Sequence, residues 1–247
     1  LYRHSECVTA TGSDKTLASI RNKLDPKTRF LGYGHQVSFG YVTKEAASGY
    51  KAKRLIREAA DDVVAWNQLG CLSPHIFYVE DDSSNWALQF AQQLAVELEK
   101  RETADPRGKI PQEAAAAIAS RRAMYEVRAA HMPDSSQQWC SENSTAWTVI
   151  YETDTLFQLS CLNRFIYVKS TADLDEVLKG AEMVRDHVST VGIAAAEDEK
   201  EEIALRLARW GATRICPIGR MQKPPLTWRH DGRPLLSDYV RWTDWEQ

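Results

Sequence analysis

Along this chain the apolar positions alternate between a spacing of two and a spacing of three to four, and the changes of period mark out short strands and longer helices. Cys7-Val8-Thr9-Ala10 is short, partly β-branched and strand-like, and residues 11–14 follow as a turn. From 15 to 24 the apolar residues Leu17, Ile20 and Leu24 recur at helical spacing, and Asp25-Pro26-Lys27 stops that helix. Residues 29–42 read as two short strands around a Gly-rich bend. A long helical stretch is expected over 44–69, with Leu55, Ile56, Val63 and Trp66 facing inward. Lys51, Lys53, Arg54 and Arg57 would face water, and Gly70 would end the helix.

The second part of the chain repeats the alternation. Residues 75–80 form a strand, a helix runs from Ser83 or Ser84 to about Arg101, and Pro111 opens a further helix over 112–131. Strands are expected at 147–151, 164–168, 190–195 and 213–217, with helices over 173–188 and 198–210. Strands alternating with helices in this way indicate an α/β fold with a largely parallel sheet. The tail from Met221 differs: Trp228, Trp242 and Trp245 are interleaved with Arg229, Arg233 and Arg241. Aromatics among arginines can serve nucleic acid. A packed arm or an inter-subunit contact fits the acidic chain better.

Composition narrows the function classes. The chain has 247 residues, 43% hydrophobic and 26% charged, with a formal net charge of -3, which gives no electrostatic footprint for nucleic acid. No apolar run approaches the roughly 20 residues that a membrane-spanning helix needs. The first residues are neither an initiator Met nor a signal peptide, so a fragment of a longer protein is expected. The cysteines, Cys7, Cys71, Cys140, Cys161 and Cys216, are odd in number and widely spaced. Free thiols, a reducing compartment and a cytoplasmic location follow as expectations, and no zinc spacing is present.

Two stretches carry candidate chemistry. Thr11-Gly12-Ser13-Asp14 joins a strand to a helix, where Gly12 permits close backbone approach and Ser13 can cap the helix or donate to a phosphate oxygen. A plain βα turn with an N-cap is the commoner origin of such a pattern. In Asn67-Gln68-Leu69-Gly70-Cys71-Leu72-Ser73-Pro74, the cysteine lies beyond a helix, with Gly before it and Ser-Pro after it. Such a thiol is presented by a loop, and we expect Cys71 to be a nucleophile; the competing reading is a small buried hydrophobe. His35, in the Gly-rich bend, is a candidate general acid or a structural histidine.

Taken in order, the Val-x-x-Thr-Gly-Ser turn, the bend Tyr33-Gly34-His35-Gln36-Val37-Ser38 and the Gln-x-x-Cys loop resemble the aldehyde dehydrogenase superfamily. Within it the chain most resembles the acyl-CoA reductases of bacterial luminescence (long-chain fatty-acid reductases). Arg214-Ile215-Cys216-Pro217-Ile218-Gly219 and His230-Asp231-Gly232-Arg233-Pro234-Leu235-Leu236 also match.

The resemblance implies an aldehyde-dehydrogenase-like catalytic domain, 31–219, preceded by the C-terminal remnant of a Rossmann-like nucleotide-binding domain, 1–30, and followed by an arm, 220–247. It implies NADPH as cofactor, with Gly12 and Ser13 as cofactor-binding residues. An acyl-CoA or other acyl thioester would be the substrate, reduced to the aldehyde through an acyl-enzyme on Cys71. A homo-oligomer or an acyl-transfer partner is also implied.

Two departures stand out. Hydrolytic relatives carry a general-base Glu about five residues before the Ser of the bend, whereas that count from Ser38 reaches Tyr33. Without a base to activate water, the acyl-enzyme is left for hydride or CoA exchange. Where those relatives have Glu-x-Phe-Gly-Pro, this chain reads Asp154-Thr155-Leu156-Phe157-Gln158-Leu159. A reductase acting on acyl phosphate or acyl-carrier thioester, and a non-catalytic acyl-relay or assembly module, remain open alternatives.

Overall fold

The computed structural model describes residues 4–47, 50–81, 85–234 and 236–247, without the side chains of Ala47 and Tyr50. By internal contacts the chain divides into two compact units, Leu1–Gln36 with Pro225–Gln247, and Val37–Pro224. Residues 31–36 thus group with the first unit and 220–224 with the second.

In the first unit, β1 (Cys7–Thr11) leads through the Gly12-Ser13 turn into α1 (Asp14–Arg21) and back to β2 (Arg29–Tyr33). β1 and β2 pair in parallel, with Val8 opposite Phe30 and Thr11 opposite Tyr33. Residues 225–247 pack against this βαβ element through polar and aromatic contacts. The Arg29 guanidinium donates to the carbonyls of Asp238 (2.5 Å) and Val240 (2.7 Å). The His230 ring stacks on Tyr33 with centroids 4.5 Å apart, Trp228 lies against His230 at 4.7 Å, and Arg233 covers the Tyr33 ring at 5.5 Å. The arm's last tryptophans, Trp242 and Trp245, are exposed.

The second unit is built on a seven-stranded sheet. Its strands are β3 (Val37–Val42), β4 (Pro74–Glu80), β5 (Ser136–Cys140), β6 (Thr148–Glu152), β7 (Phe165–Thr171), β8 (Val188–Ala194) and β9 (Arg214–Pro217). The order is β5-β6-β7-β4-β3-β8-β9, and only the β5–β6 pair is antiparallel. Five of these strands were expected from their apolar runs; β5, Ser-Gln-Gln-Trp-Cys, carries too little apolar signal to be read as a strand. The two strands expected around the Gly-rich bend are both present, but β2 and β3 belong to different sheets.

One face of the sheet is covered by α2 (Tyr50–Val64) and α3 (Trp86–Ala104), the other by α4 (Gln112–His131), α5 (Leu174–Gly180) and α6 (Lys200–Trp210). Ile56, Ala59, Ala60 and Val63 bury the α2 stripe against Phe90, Ala91 and Leu94 of α3. Central strands buried on both faces read as continuous apolar runs, as in Ile76-Phe77-Tyr78-Val79, all fully buried. Gly40 on β3 makes room for the Phe77 ring of β4, which a Cβ there would overlap.

Two helices depart from expectation. The stretch over 44–69 is a 3₁₀ turn at Lys44–Ala47, then α2, which stops at Val64, so Trp66 is exposed instead of inward. The stretch over 173–188 is the short α5 capped by Asp173, followed by a 3₁₀ segment, Glu182–His187. The expected helix starts at Ser83 and Ser84 lie outside the described residues.

Candidate active site

The segment that leads to Cys71 is set by backbone conformation. Trp66, Asn67 and Gln68 all have positive φ (54°, 51° and 63°), which breaks α2 away from its axis. Left-handed backbone costs an L-residue roughly 1–2 kcal/mol, so side chains must hold it. Gln68 is fully buried and does so. Its amide nitrogen donates to the carbonyls of Pro74 (2.7 Å) and Phe165 (2.8 Å), and its amide oxygen accepts the Phe165 N–H (2.8 Å). Asn67 accepts from Arg164 Nε at 3.0 Å, and Arg164 in turn is paired with Glu102 at 2.8 Å. Leu162, Asn163 and Arg164, just before β7, also have positive φ. Two left-handed triplets, before neighbouring strands β4 and β7, are thus clamped to each other.

After that clamp the chain makes a turn closed by the Ser73 N–H on the Gly70 carbonyl at 2.9 Å. Cys71 sits at its tip and is exposed, while Leu72 turns inward and is buried. The buried-hydrophobe reading of Cys71 therefore does not hold. Ser38 Oγ donates to the Cys71 carbonyl at 2.7 Å and accepts the Thr190 N–H at 3.2 Å. Gln222 Nε2 donates to Ser73 Oγ at 2.8 Å. An exposed thiol on a turn whose neighbours are all fixed can meet an electrophile without rearrangement of its backbone.

Below the turn, buried His75 accepts the Ser160 N–H on Nδ1 at 3.1 Å, with Ser160 Oγ also 3.0 Å away, and Phe157 packs on its ring edge-on at 6.2 Å. A ring nitrogen that accepts a backbone N–H has no proton, so this histidine is the neutral Nε2–H tautomer. The 153–160 segment that supplies Ser160 and Phe157 is fixed by Asp154. Lys169 Nζ lies 2.8 Å from that carboxylate, and Arg128 lies 3.5 Å from it. Burial opposes ionisation of Asp154, but Lys169 and Arg128 outweigh it and hold the carboxyl below its ordinary value. In the position resembling the Glu-x-Phe-Gly-Pro element, this acid is engaged in an internal ion pair.

The remaining expected residues lie in the first unit. His35 is exposed in the bend after β2. Ser13 caps α1, its Oγ accepting the Thr16 N–H at 3.3 Å, and the Gly12 N–H donates to the Tyr33 carbonyl at 3.1 Å. A Cβ on Gly12 would make only ordinary contact with Thr16. The structure brings Cys71 together with Ser38 and Gln68, both in the quoted motifs but without an assigned role. It adds Gln222, for which the sequence held no signal. The other four cysteines are half-buried, and burial pushes the Cys216 thiol up to about 11, which suits an inert packing residue.

Comparison with known proteins gives the same fold. No curated protein matches the sequence. Among solved structures, a Δ-pyrroline-5-carboxylate dehydrogenase from Mycobacterium tuberculosis superposes with a TM-score of 0.61 at 12% identity, over 88% of this chain and 42% of that one. The same dehydrogenase has also been solved bound with NAD. A γ-glutamyl-γ-aminobutyraldehyde dehydrogenase from Burkholderia cenocepacia J2315 gives 0.61 at 12%, over 86% and 44%. Proline utilization A from Bradyrhizobium japonicum gives 0.64 at 15%, over 90% and 23%. The chain thus spans less than half the length of these aldehyde-dehydrogenase-like proteins. Its sequence matches the family described as acyl-CoA reductase (LuxC) over residues 1–242, nearly its whole length, and the chain belongs to that family.

Proposed function

We propose that this chain supplies the nucleophile of an NADPH-dependent reductase that converts a long-chain acyl-CoA to the aldehyde. The observation that carries this reading is the exposed Cys71 thiol at the tip of a turn fixed by Ser38, Gln68 and Gln222. The sulfur attacks the thioester carbonyl, a C–S bond forms to Cys71, and the CoA sulfur leaves with the electron pair and takes up a proton. Cys suits this step because a thiolate is both a good nucleophile and a good leaving group. Trp66 and Leu69, exposed on the same segment, offer an apolar surface to an acyl chain. Tyr33 stands where a hydrolytic base would be expected, and a phenol with its pKa raised, chiefly by burial, does not activate water.

The Gly12-Ser13 turn fits a cofactor phosphate in kind, being an exposed hydroxyl at a helix N-terminus. The Asp14 carboxylate of the same first turn lies against Gly34. When bound, a reduced nicotinamide supplies hydride to the acyl carbon. The chain's own part is to hold the acyl group on Cys71 and release the thiol when the aldehyde leaves. His35 is the proposed proton donor to the developing oxygen. Five cysteines outside any disulfide support a reducing, cytoplasmic setting, and the exposed Trp242 and Trp245 support contact with a second copy.

The test is to incubate the protein with acyl-CoA, quench, and map the adduct by mass spectrometry. An acyl group on Cys71 that disappears in Cys71→Ala is expected; an adduct unchanged in that variant would sink the assignment. Acyl phosphate and acyl-carrier thioester, run in parallel with NADPH oxidation, separate the donor classes and a relay role without reduction.

A further inference from the structure

Gln222 stands outside every motif that points to the reaction, yet its side chain reaches the turn that bears Cys71. Its amide nitrogen donates to Ser73 Oγ at 2.8 Å, and a Cβ on Gly70 would come within 3.4 Å of its amide oxygen. Gln222 thus bonds one end of the Gly70–Ser73 turn and lies beside the other. The backbone around it is held from two sides. Asp62 of α2 accepts the N–H groups of Gly219 (2.5 Å) and Met221 (3.1 Å). Arg214 of β9 donates to the carbonyls of Arg220 (2.8 Å) and Met221 (2.7 Å). A half-buried loop held at four backbone atoms by one carboxyl group and one guanidinium is a rigid mount.

The same guanidinium closes a circuit. Arg214 donates to Thr190 Oγ1 at 3.3 Å, the Thr190 N–H donates to Ser38 Oγ, and Ser38 donates to the Cys71 carbonyl. From Cys71 the circuit therefore runs through Ser38, Thr190, Arg214, Met221 and Gln222 to Ser73, which closes the turn on Gly70. Ser38 is the second residue of its unit and Gln222 the third from its end, so the two ends of that unit's chain are stapled to one turn.

We propose that Gln222, mounted by Asp62 and Arg214, is a positioning residue that sets the orientation of the Cys71 thiol. Gln222 is only half-buried, so its side chain is not part of the packed core. What the amide adds is direction, because it holds Ser73 while Ser38 holds the Cys71 carbonyl, and the two bonds fix the turn at Cys71 and two residues after it. The inference rests on Cys71 being the nucleophile, but the two fail separately, since alkylation of a thiol needs no acyl donor.

The experiment measures iodoacetamide alkylation of Cys71 in the full chain, resolved by peptide mass spectrometry, from pH 6 to pH 9. The isosteric Gln222→Met and the complementary Ser73→Ala are each expected to slow Cys71 at least threefold and to displace its pH profile. Alkylation of Cys7 should not change, and the double variant should be no slower than the slower single. Asp62→Asn, which removes one of two acceptors from the mount, should shift Cys71 in the same direction. A Gln222→Met rate within twofold of wild type, whatever Ser73→Ala does, or losses that multiply in the double variant, would overturn the proposal. Loss of the acyl adduct in Cys71→Ala bears only on the nucleophile assignment.

Discussion

Gln68 and Phe165 exchange a pair of hydrogen bonds, side-chain amide to backbone peptide, each 2.8 Å long. The two residues are 97 positions apart; Phe165 heads β7, and Gln68 lies six residues before its neighbour β4. A glutamine in this pose replaces a missing rung of the sheet: it satisfies both polar groups of the Phe165 peptide while its own backbone is left-handed. The Cys71 turn begins at the next residues, so the sheet itself fixes where the thiol emerges.

Gln68→Leu tests that rung. The leucine fills the space but takes the amide donor from the Pro74 and Phe165 carbonyls, at roughly 1–3 kcal/mol each, and leaves the Phe165 N–H only the Leu162 carbonyl at 3.1 Å. A loss of about 3 kcal/mol is expected, or a fall in melting temperature of about 6 to 12 °C for a domain of this size. Acylation of Cys71 should fall with it. A melting temperature within a degree of wild type would show that the pair does not hold the turn.

Trp66 should set preference for chain length. Its indole is 74% exposed, on a backbone that costs free energy to maintain, and it stands five residues before the thiol. Trp66→Ala is expected to lower kcat/KM for a long-chain acyl-CoA about tenfold, equivalent to about 1.4 kcal/mol, and to leave a two-carbon donor nearly unchanged. Equal losses for both donors would point to a role in the backbone turn instead.

The sheet and most helices were legible because burial on both faces writes itself as apolar runs and helices as spaced stripes: α4 runs over 112–131, as Pro111 and its spacing predict. The site was legible in part. Cys71 stood out through its Gly and Ser-Pro neighbours. The triplet at 66–68 did not, because Trp66 and Gln68 carry no left-handed preference, and only Asn67 hints at it. The helical pattern therefore ran on through a break that long-range bonds impose. Gln222 was invisible for the same reason: its partner, Ser73, is 149 residues away.

Lys169 and Glu152 form a buried pair 3.1 Å apart, both side chains inaccessible, with Tyr125 donating to the same carboxylate at 3.0 Å. Such a pair contributes little net stability against apolar residues but is costly to halve. Lys169→Met should destabilise the protein by roughly 3–5 kcal/mol in urea unfolding. Lys169→Met/Glu152→Gln should recover part of the loss: the fully buried Glu152 charge, left with Arg128 as its ion-pair partner at 2.7 Å in the single variant, is then removed, while half-exposed Asp154 lacks Lys169 in both variants. A double variant as unstable as the single would mean that packing, not charge, decides.

Asp62 gives the protein a pH-dependent stability term. Burial pushes its carboxyl up from 3.8 to about 7, against the opposing pull of the Gly219 and Met221 N–H groups, with the neighbouring Asp61 adding to the rise. A folded value above the unfolded one means that the contribution is complete below 3.8 and is lost as pH rises through about 7. The gap corresponds to about 4 kcal/mol. Asp62→Asn cannot titrate, so the stability of wild type relative to this variant should fall steadily from pH 4.5 to about 7 and level off above it. Urea unfolding of both proteins across that range checks it; a difference that stays flat, or grows with pH, would show that the backbone N–H groups outweigh burial and keep Asp62 ionised throughout.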